Sequence, residues 1–148
     1  MAPRVCSVAN ALELVGERWA LLVVREVALG VRRFADILER TGAPRAVLSA
    51  RLKSLVEAGV LTTSPYREPG QRERLEYRLT GAGRDLLPVV TALREWGDKH
   101  ATPMSGPPVV LRHEACGGDV HLQLACTCGP VSQREVRVHP APDQPSAS

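Results

Sequence analysis

The apolar residues of this chain change their period at Gly59, and that change constrains the fold more than any other feature. Up to Gly59 they recur at helical spacing. From Val60 to Leu79 they follow the shorter period of strands, and after Thr80 the helical spacing returns. Only one architecture accommodates that order: a mainly α domain carrying one small β-hairpin. Val8, Leu12, Val15 and Trp19 give a first helix over Cys6–Val15, with Ser7 as its expected N-cap and Gly16 as its end. A second helix runs from Arg18 or Trp19 to Leu29 and is apolar all round, so it is expected at the centre. Phe34 to Arg40 forms a short third helix, with Phe34, Ile37 and Leu38 inward. Thr41-Gly42-Ala43-Pro44 is a tight turn, and a fourth helix follows from Arg45 to about Ala58. Val60–Tyr66 and Arg74–Leu79 are paired strands around the Pro69-Gly70 turn. Thr80 caps one last long helix, expected to run unbroken to His100.

Helices, a tight turn between the third and fourth, a hairpin and a closing helix are the order of a winged helix-turn-helix. The charge fits a nucleic-acid partner. Residues 1–100 hold 16 Lys/Arg and 12 Asp/Glu, a net +4, whereas residues 101–148 hold 3 and 4, a net −1. Between Arg40 and Lys53 there are Arg40, Arg45, Arg51 and Lys53 and no acidic residue. The hairpin adds Arg67, Arg72, Arg74 and Arg78, diluted by Glu68, Glu73 and Glu76. Arginine supplies forked contacts to phosphate and guanine.

The fourth helix divides cleanly. With Leu48 at zero and about 100° per residue, Leu52, Leu55 and Val56 fall within about 80° of it and form the core face. Ala46, Val47, Ala50, Lys53, Ser54 and Glu57 lie opposite, flanked by Ser49 and Arg51. Ala46, Val47 and Ala50 suit thymine methyls, and Arg45, Ser49 and Arg51 suit hydrogen bonds to bases or phosphates. Arg45 stands at the helix start, where such proteins reach base edges. The expected DNA contacts are therefore Arg33, Arg45, Ala46, Val47, Ser49, Ala50, Arg51, Lys53, Arg67, Arg72 and Arg74. The last helix, with Leu86, Val90, Leu93 and Trp96, is too apolar for a lone surface helix and is expected to pack against a second subunit.

Several of these segments resemble the HxlR family of bacterial winged-helix transcriptional regulators, relatives of the MarR group. The resemblance covers about residues 6–100. It rests on Cys6, Gly16-Glu17-Arg18-Trp19, Gly30-Val31-Arg32-Arg33-Phe34, Val47-Leu48-Ser49-Ala50-Arg51-Leu52, Gly59-Val60-Leu61, Tyr77-Arg78-Leu79-Thr80, Gly83, Leu86, Pro88-Val89 and Trp96-Gly97, in that order and spacing. It implies a homodimeric DNA-binding regulator on a palindromic site. First and last helices would build the dimer, here through Val8, Leu12, Leu86, Val90, Leu93 and Trp96. It also implies an oxidant or electrophile response through the cysteine matching Cys6, with a small molecule as the other kind of effector. Two positions depart from the family pattern: Ser7 stands where proline often follows the cysteine, and Pro44 stands where serine often caps the recognition helix. Pro44 has no capping oxygen, so Thr41 or water is expected to satisfy the free N–H groups.

Cys6 itself reads two ways. It precedes a helix, where the macrodipole and free N–H groups favour thiolate, and Arg4 adds positive charge nearby. Otherwise it is a small buried apolar residue.

Beyond Ala101 the composition shifts, and seven of the twelve prolines lie at or after Pro103. Residues 101–108 read as a linker, 109–139 as a small cysteine-containing extension with β-hairpin character, and 140–148 as a disordered tail. His113-Glu114-Ala115-Cys116-Gly117 and Cys126-Thr127-Cys128-Gly129 resemble two zinc knuckles joined by a strand over Val120–Leu124. Their ligands would be His113, Cys116, Cys126 and Cys128, with His121 as the substitute for His113. A structural zinc is the only cofactor this suggests. The alternative is a tail with reactive thiols or a disulfide of Cys116.

An enzyme is not expected. Gly81-Ala82-Gly83 lacks the Lys-Ser/Thr of a phosphate loop, and every histidine lies at position 100 or later, away from Cys6. The stronger rival is a winged-helix protein-interaction module whose extension serves as a zinc-ribbon-like adaptor. No apolar run approaches the ~20 residues of a membrane helix, and the N-terminus has no signal-peptide core. The expected partners are double-stranded DNA and a second copy, without a membrane, in the cytoplasm.

Overall fold

The computed structural model describes residues 6–101 and 109–139. Arg4, the linker from residue 102 and the expected tail at 140–148 lie outside them. The chain divides into two units, Met1–Met104 and Ser105–Ser148.

The first unit is built from α1 (Ser7–Val15), α2 (Arg18–Ala28), α3 (Phe34–Thr41), α4 (Arg45–Glu57), β1 (Leu61–Tyr66), β2 (Arg74–Leu79), α5 (Gly81–Asp85) and α6 (Leu87–His100). Central α2 contributes Ala20, Val23, Val24 and Val27 to the core. Around it pack Val15, Ile37, Ala43, Leu48, Leu52, Leu55, Val60 and Leu61. The strands pair antiparallel with Leu61 opposite Leu79 and Tyr66 opposite Arg74. On the other side of β2, Tyr77 N–H donates to the Arg32 carbonyl at 2.8 Å, and Arg33 bridges Glu76. The hairpin is thereby anchored to the segment that leads into α3.

Two boundaries and one exposure differ from the sequence expectation. Cys6, not Ser7, occupies the N-cap of α1, and its side chain makes no capping bond. The closing helix is two helices joined at Leu86. Pro88 is the reason: it has no N–H to donate to the Arg84 carbonyl, and its ring crowds that carbonyl. Thr80 does cap the first piece, accepting from Gly83 N–H at 3.1 Å. Finally, Leu75 is exposed where strand alternation placed it inward, because the hairpin tip runs beyond the core.

Sequence reading also missed Glu26, which is only 2% exposed on α2. Its carboxylate accepts hydrogen bonds from Arg40, at 2.6 Å, and from Arg25. Burial alone pushes this carboxyl up. The hydrogen bonds and charges of Arg40 and Arg25 outweigh it and hold the pKa below the ordinary 4.5. A depressed carboxyl contributes stability that is fully present above its unfolded pKa and is lost as the pH falls through its folded one. The stability gap between wild type and Glu26→Gln is therefore expected to be widest near neutrality. It should shrink as urea midpoints are followed down through pH 4.5 and below. A gap that stays constant across that range contradicts the account.

The second unit has no buried side chain among its described residues. It consists of two small hairpins. In the first, Val120 N–H donates to Leu111 O at 2.8 Å and His113 N–H to Gly118 O at 2.8 Å, with Gly117 turning at φ +68°. In the second, β3 (Ala125–Cys126) pairs with β4 (Gly129–Pro130), and a single 3-10 turn follows at Gln133–Glu135. The strand expected over Val120–Leu124 does not form. Its two ends are used instead by different hairpins, Val120 by Leu111 and Leu124 by Val131.

Candidate DNA-binding face

Gly42 takes a left-handed φ of +67° at the end of α3, which lets the chain reverse tightly into α4. Leu48, Leu52 and Leu55 lock α4 onto the core, so the opposite face is presented outward. Ala46, Ser49, Ala50 and Lys53 are exposed there and Val47 is half-buried. Lys53 lies 3.8 Å from Glu57. The first N–H groups of α4 receive no side-chain cap. Thr41, expected to help, is turned back into its own helix. It donates to Ile37 O at 2.7 Å and reaches only the N–H of Ala43, at 3.4 Å.

Arg45 opens α4 and lies over the Phe34 ring, 5.1 Å from its centroid. Arg33, at the N-cap of α3, lies over Tyr66 at 4.5 Å and pairs with Glu68. These groups border an open cleft of about 600 Å³ between the helix-turn-helix and the hairpin, with Arg74 on its far wall. Arg74 leans on Gln71 at 3.3 Å, and Arg67 and Arg72 are exposed at the hairpin tip. The face is thus an arginine-rich groove edged by a helix end and the hairpin, with Asp36 and Glu68 also in its wall, a shape that suits a phosphate backbone running past a helix seated in a groove.

Besides Arg33, three arginines counted toward this face on charge have carboxylate partners inside the domain: Arg78 pairs with Glu76 on its own strand, and two others reach across elements. Arg51 is 24% exposed and pairs with Glu17 at 3.0 Å, tying α4 to the start of α2. Arg40 is held by Glu26. The signals that sequence reading missed were these two glutamates, Glu17 before α2 and Glu26 inside it.

The helices expected at the dimer interface separate into two groups. Val8 and Leu12 of α1 and Leu93 and Trp96 of α6 are exposed, together with Leu14 and Val89. Leu86 and Val90 instead pack on the protomer's own core. Cys6 is a free thiol, exposed within the protomer.

The expected zinc ligands are not gathered. Among the described residues no group of three or more His, Cys, Asp or Glu is placed to hold a metal ion. His113 Nδ1 lies 3.2 Å from Cys116 Sγ in the first hairpin, and Cys126 and Cys128 meet in the second. The backbone N–H of Cys128, the Thr127 hydroxyl and the Cys128 side chain together draw the Cys126 pKa down to about 7.

Comparison with known proteins places this geometry in context. The family model described as HxlR-like helix-turn-helix matches residues 14–105. An uncharacterized HTH-type transcriptional regulator of Mycobacterium tuberculosis is 48% identical over 138 residues, covering 92% of this chain and 86% of its own. The match therefore extends into the cysteine-containing unit. The solved structure of PA1607, assigned to the transcription factors, superposes with a TM-score of 0.80 at 34% identity, covering 92% of this chain and 95% of its own. The reduced form of the transcriptional regulator YodB from Bacillus subtilis superposes at 0.54 with 26% identity, covering 66% and 96%.

Proposed function

The chain belongs to the HxlR-like helix-turn-helix family, transcriptional regulators with a DNA-binding fold rather than enzymes, and from that premise we propose that it binds a palindromic operator as a homodimer. The observation that carries this reading is the division of α4, with Leu48, Leu52 and Leu55 buried and Arg45, Ala46, Ser49, Ala50 and Lys53 turned out. In this reading α4 enters the major groove. Arg45 and Ser49 supply hydrogen bonds, and Ala46, Val47 and Ala50 meet thymine methyls. The uncapped N–H groups of α4 and Arg33, Arg67, Arg72 and Arg74 take phosphate contacts. Arg51 acts mainly as the brace to Glu17 and joins the DNA only by giving up that pair. The protein would do this in the cytoplasm, where bacterial DNA lies.

The test is fluorescence anisotropy with duplexes from the protein's own upstream region. Arg45→Ala is expected to cost about 1–3 kcal/mol of specific binding. Arg72→Ala is expected to weaken all sequences alike and to reduce the salt slope by about one. No affinity for any duplex at low salt would overturn the reading.

A redox response is the second part of the proposal. Cys6 is exposed at the N-terminus of α1, a helix whose apolar face is offered to the second subunit. The neighbour YodB has been solved both reduced and after diamide treatment. Diamide or peroxide should release wild-type protein from DNA and leave Cys6→Ser bound. Equal release of both would end this part and leave the DNA-binding part standing.

A further inference from the structure

We propose that Cys126 and Cys128 form a redox-active dithiol that closes to an intrachain disulfide on reaction with a hydroperoxide. This goes beyond the DNA-binding reading and is independent of it. Along an extended strand, residues two apart place their Cα atoms about 7 Å from each other, at the limit of what a disulfide can span. Here the chain turns between them. Cys126 ends β3 opposite Gly129, and Gly129 adopts φ +127°, so Thr127 and Cys128 form the bend, which brings Cys128 nearer to Cys126 than a strand would, and the Cys128 backbone N–H and side chain both act on the Cys126 thiol. The Thr127 hydroxyl lies 3.7 Å from the same sulfur. Both thiols are free and exposed, so a small oxidant has access. The remaining thiol of this unit, Cys116, sits beside His113 in the other hairpin. No third ligand converts the pair into a metal site among the described residues.

The chemistry balances with hydroperoxide as the only co-reactant. The Cys126 thiol loses its proton to solvent and its sulfur attacks one peroxide oxygen. The O–O bond breaks, the sulfur becomes a sulfenic acid, and the departing hydroxide (alkoxide from an organic hydroperoxide) takes up a proton. Cys128 sulfur, losing its proton, then attacks the Cys126 sulfur. The S–O bond breaks and hydroxide leaves as water. Two thiols are oxidised by two electrons, and one peroxide is reduced to two waters, or to an alcohol and water. Cys126 is the attacking sulfur because it receives the hydrogen bonds of the turn, and Cys128 is the resolving one.

The full chain carrying Cys6→Ser and Cys116→Ser leaves this pair as its thiols. Equimolar hydrogen peroxide is expected to remove both thiols, lower the intact mass by two hydrogens without joining chains, and be reversed by dithiothreitol. In wild type, the tryptic peptide spanning 113–134 should carry the bridge while Cys116 still alkylates, a readout that needs no substitution. Adding Cys128→Ser should stop the reaction at a sulfenic acid trapped by dimedone. Adding Cys126→Ser should slow thiol loss about tenfold. The proposal is overturned by a disulfide between two chains, by pairing to Cys116 in wild type, or by a Cys126→Ser chain that reacts as fast as its parent. It is equally overturned by stoichiometric zinc in the purified chain that blocks both thiols until a chelator removes it.

Discussion

If the proposed homodimer forms through α1 and α6, a chain carrying Leu93→Glu and Trp96→Glu is expected to sediment as a monomer at concentrations where wild type sediments as a dimer, and to lose its grip on the operator. Val89, Leu93 and Trp96 stand at i, i+4 and i+7 on α6 and form one stripe. Leu93 is 52% exposed and Trp96 62% exposed within the protomer. On α1, Val8 and Leu12 form a second apolar stripe at i, i+4. Single exposed apolar residues are ordinary, but rows of them on two terminal helices call for a partner surface. Tryptophan is among the residues that dominate interfaces, and a buried one contributes about 2 kcal/mol or more. Two such losses, with charges left facing apolar surface, weaken association by roughly a thousandfold. Because neither side chain is buried in the protomer, the far-UV spectrum and melting temperature of the variant should match those of a wild-type monomer. Val90→Ala is the contrast. Val90 packs on the protomer's own core, so this change should lower stability and leave association almost untouched. On the proposed palindromic operator DNA affinity should fall with dimerisation, since one protomer would grip only one half-site and the effective concentration of the second would be lost. A double variant that still dimerises with wild-type affinity would place the interface elsewhere.

How much of this could be read from the sequence depends on what kind of force fixes each feature. Burial periodicity is local and additive, so Leu48, Leu52 and Leu55 were assigned inward correctly, and the pairing of Val60–Tyr66 with Arg74–Leu79 followed from alternation and the Pro69-Gly70 turn. Charge is not local. Arg40 and Arg51 look alike in a row of basic residues, yet one is held by Glu26, fourteen positions earlier, and the other by Glu17, at the N-cap of α2. Glu26 follows Arg25 directly, and that order reads as a solvated pair. Only the packing of α3 against α2 brings Arg40 to the carboxylate and lets it be buried. Similarly, the helical wheel marked α6 as apolar. It did not separate Val90, which faces its own core, from Leu93 and Trp96, which do not. The zinc expectation meets a related limit. Spacing identified two cysteine-bearing turns, and each does fold as a turn. Whether two turns converge depends on a strand between them, and Val120 and Leu124 spend their hydrogen bonds within separate hairpins.

Gly83→Ala is expected to destabilise the domain by about 2 kcal/mol, the opposite sign to the one helix propensity gives. Gly83 lies inside α5, where alanine is favoured by about 1 kcal/mol on propensity alone. It is also buried, against Val60 just before β1 and Leu79 at the end of β2. A Cβ built there comes within 2.2 Å of the Val60 carbonyl oxygen and 3.0 Å of a Leu79 methyl. The leucine can turn away, but a backbone oxygen cannot move alone. Val60 O accepts the Thr80 N–H at 3.1 Å, and the Thr80 hydroxyl caps α5 through Gly83 N–H. Making room therefore disturbs the junction between hairpin and closing helices, and overpacking of this kind costs about 1–3 kcal/mol or more. For a domain near this size, about 2 kcal/mol lowers the melting temperature by roughly 10 °C. Gly81→Ala, two residues earlier in the same helix, isolates the propensity effect, since nothing lies within 4 Å of its Cβ. It is expected to be neutral or to stabilise by up to about 1 kcal/mol. Thermal melts of the two variants side by side decide the matter. If Gly83→Ala melts at or above the temperature of Gly81→Ala, the contact between α5 and the Val60 carbonyl is not the constraint on this position.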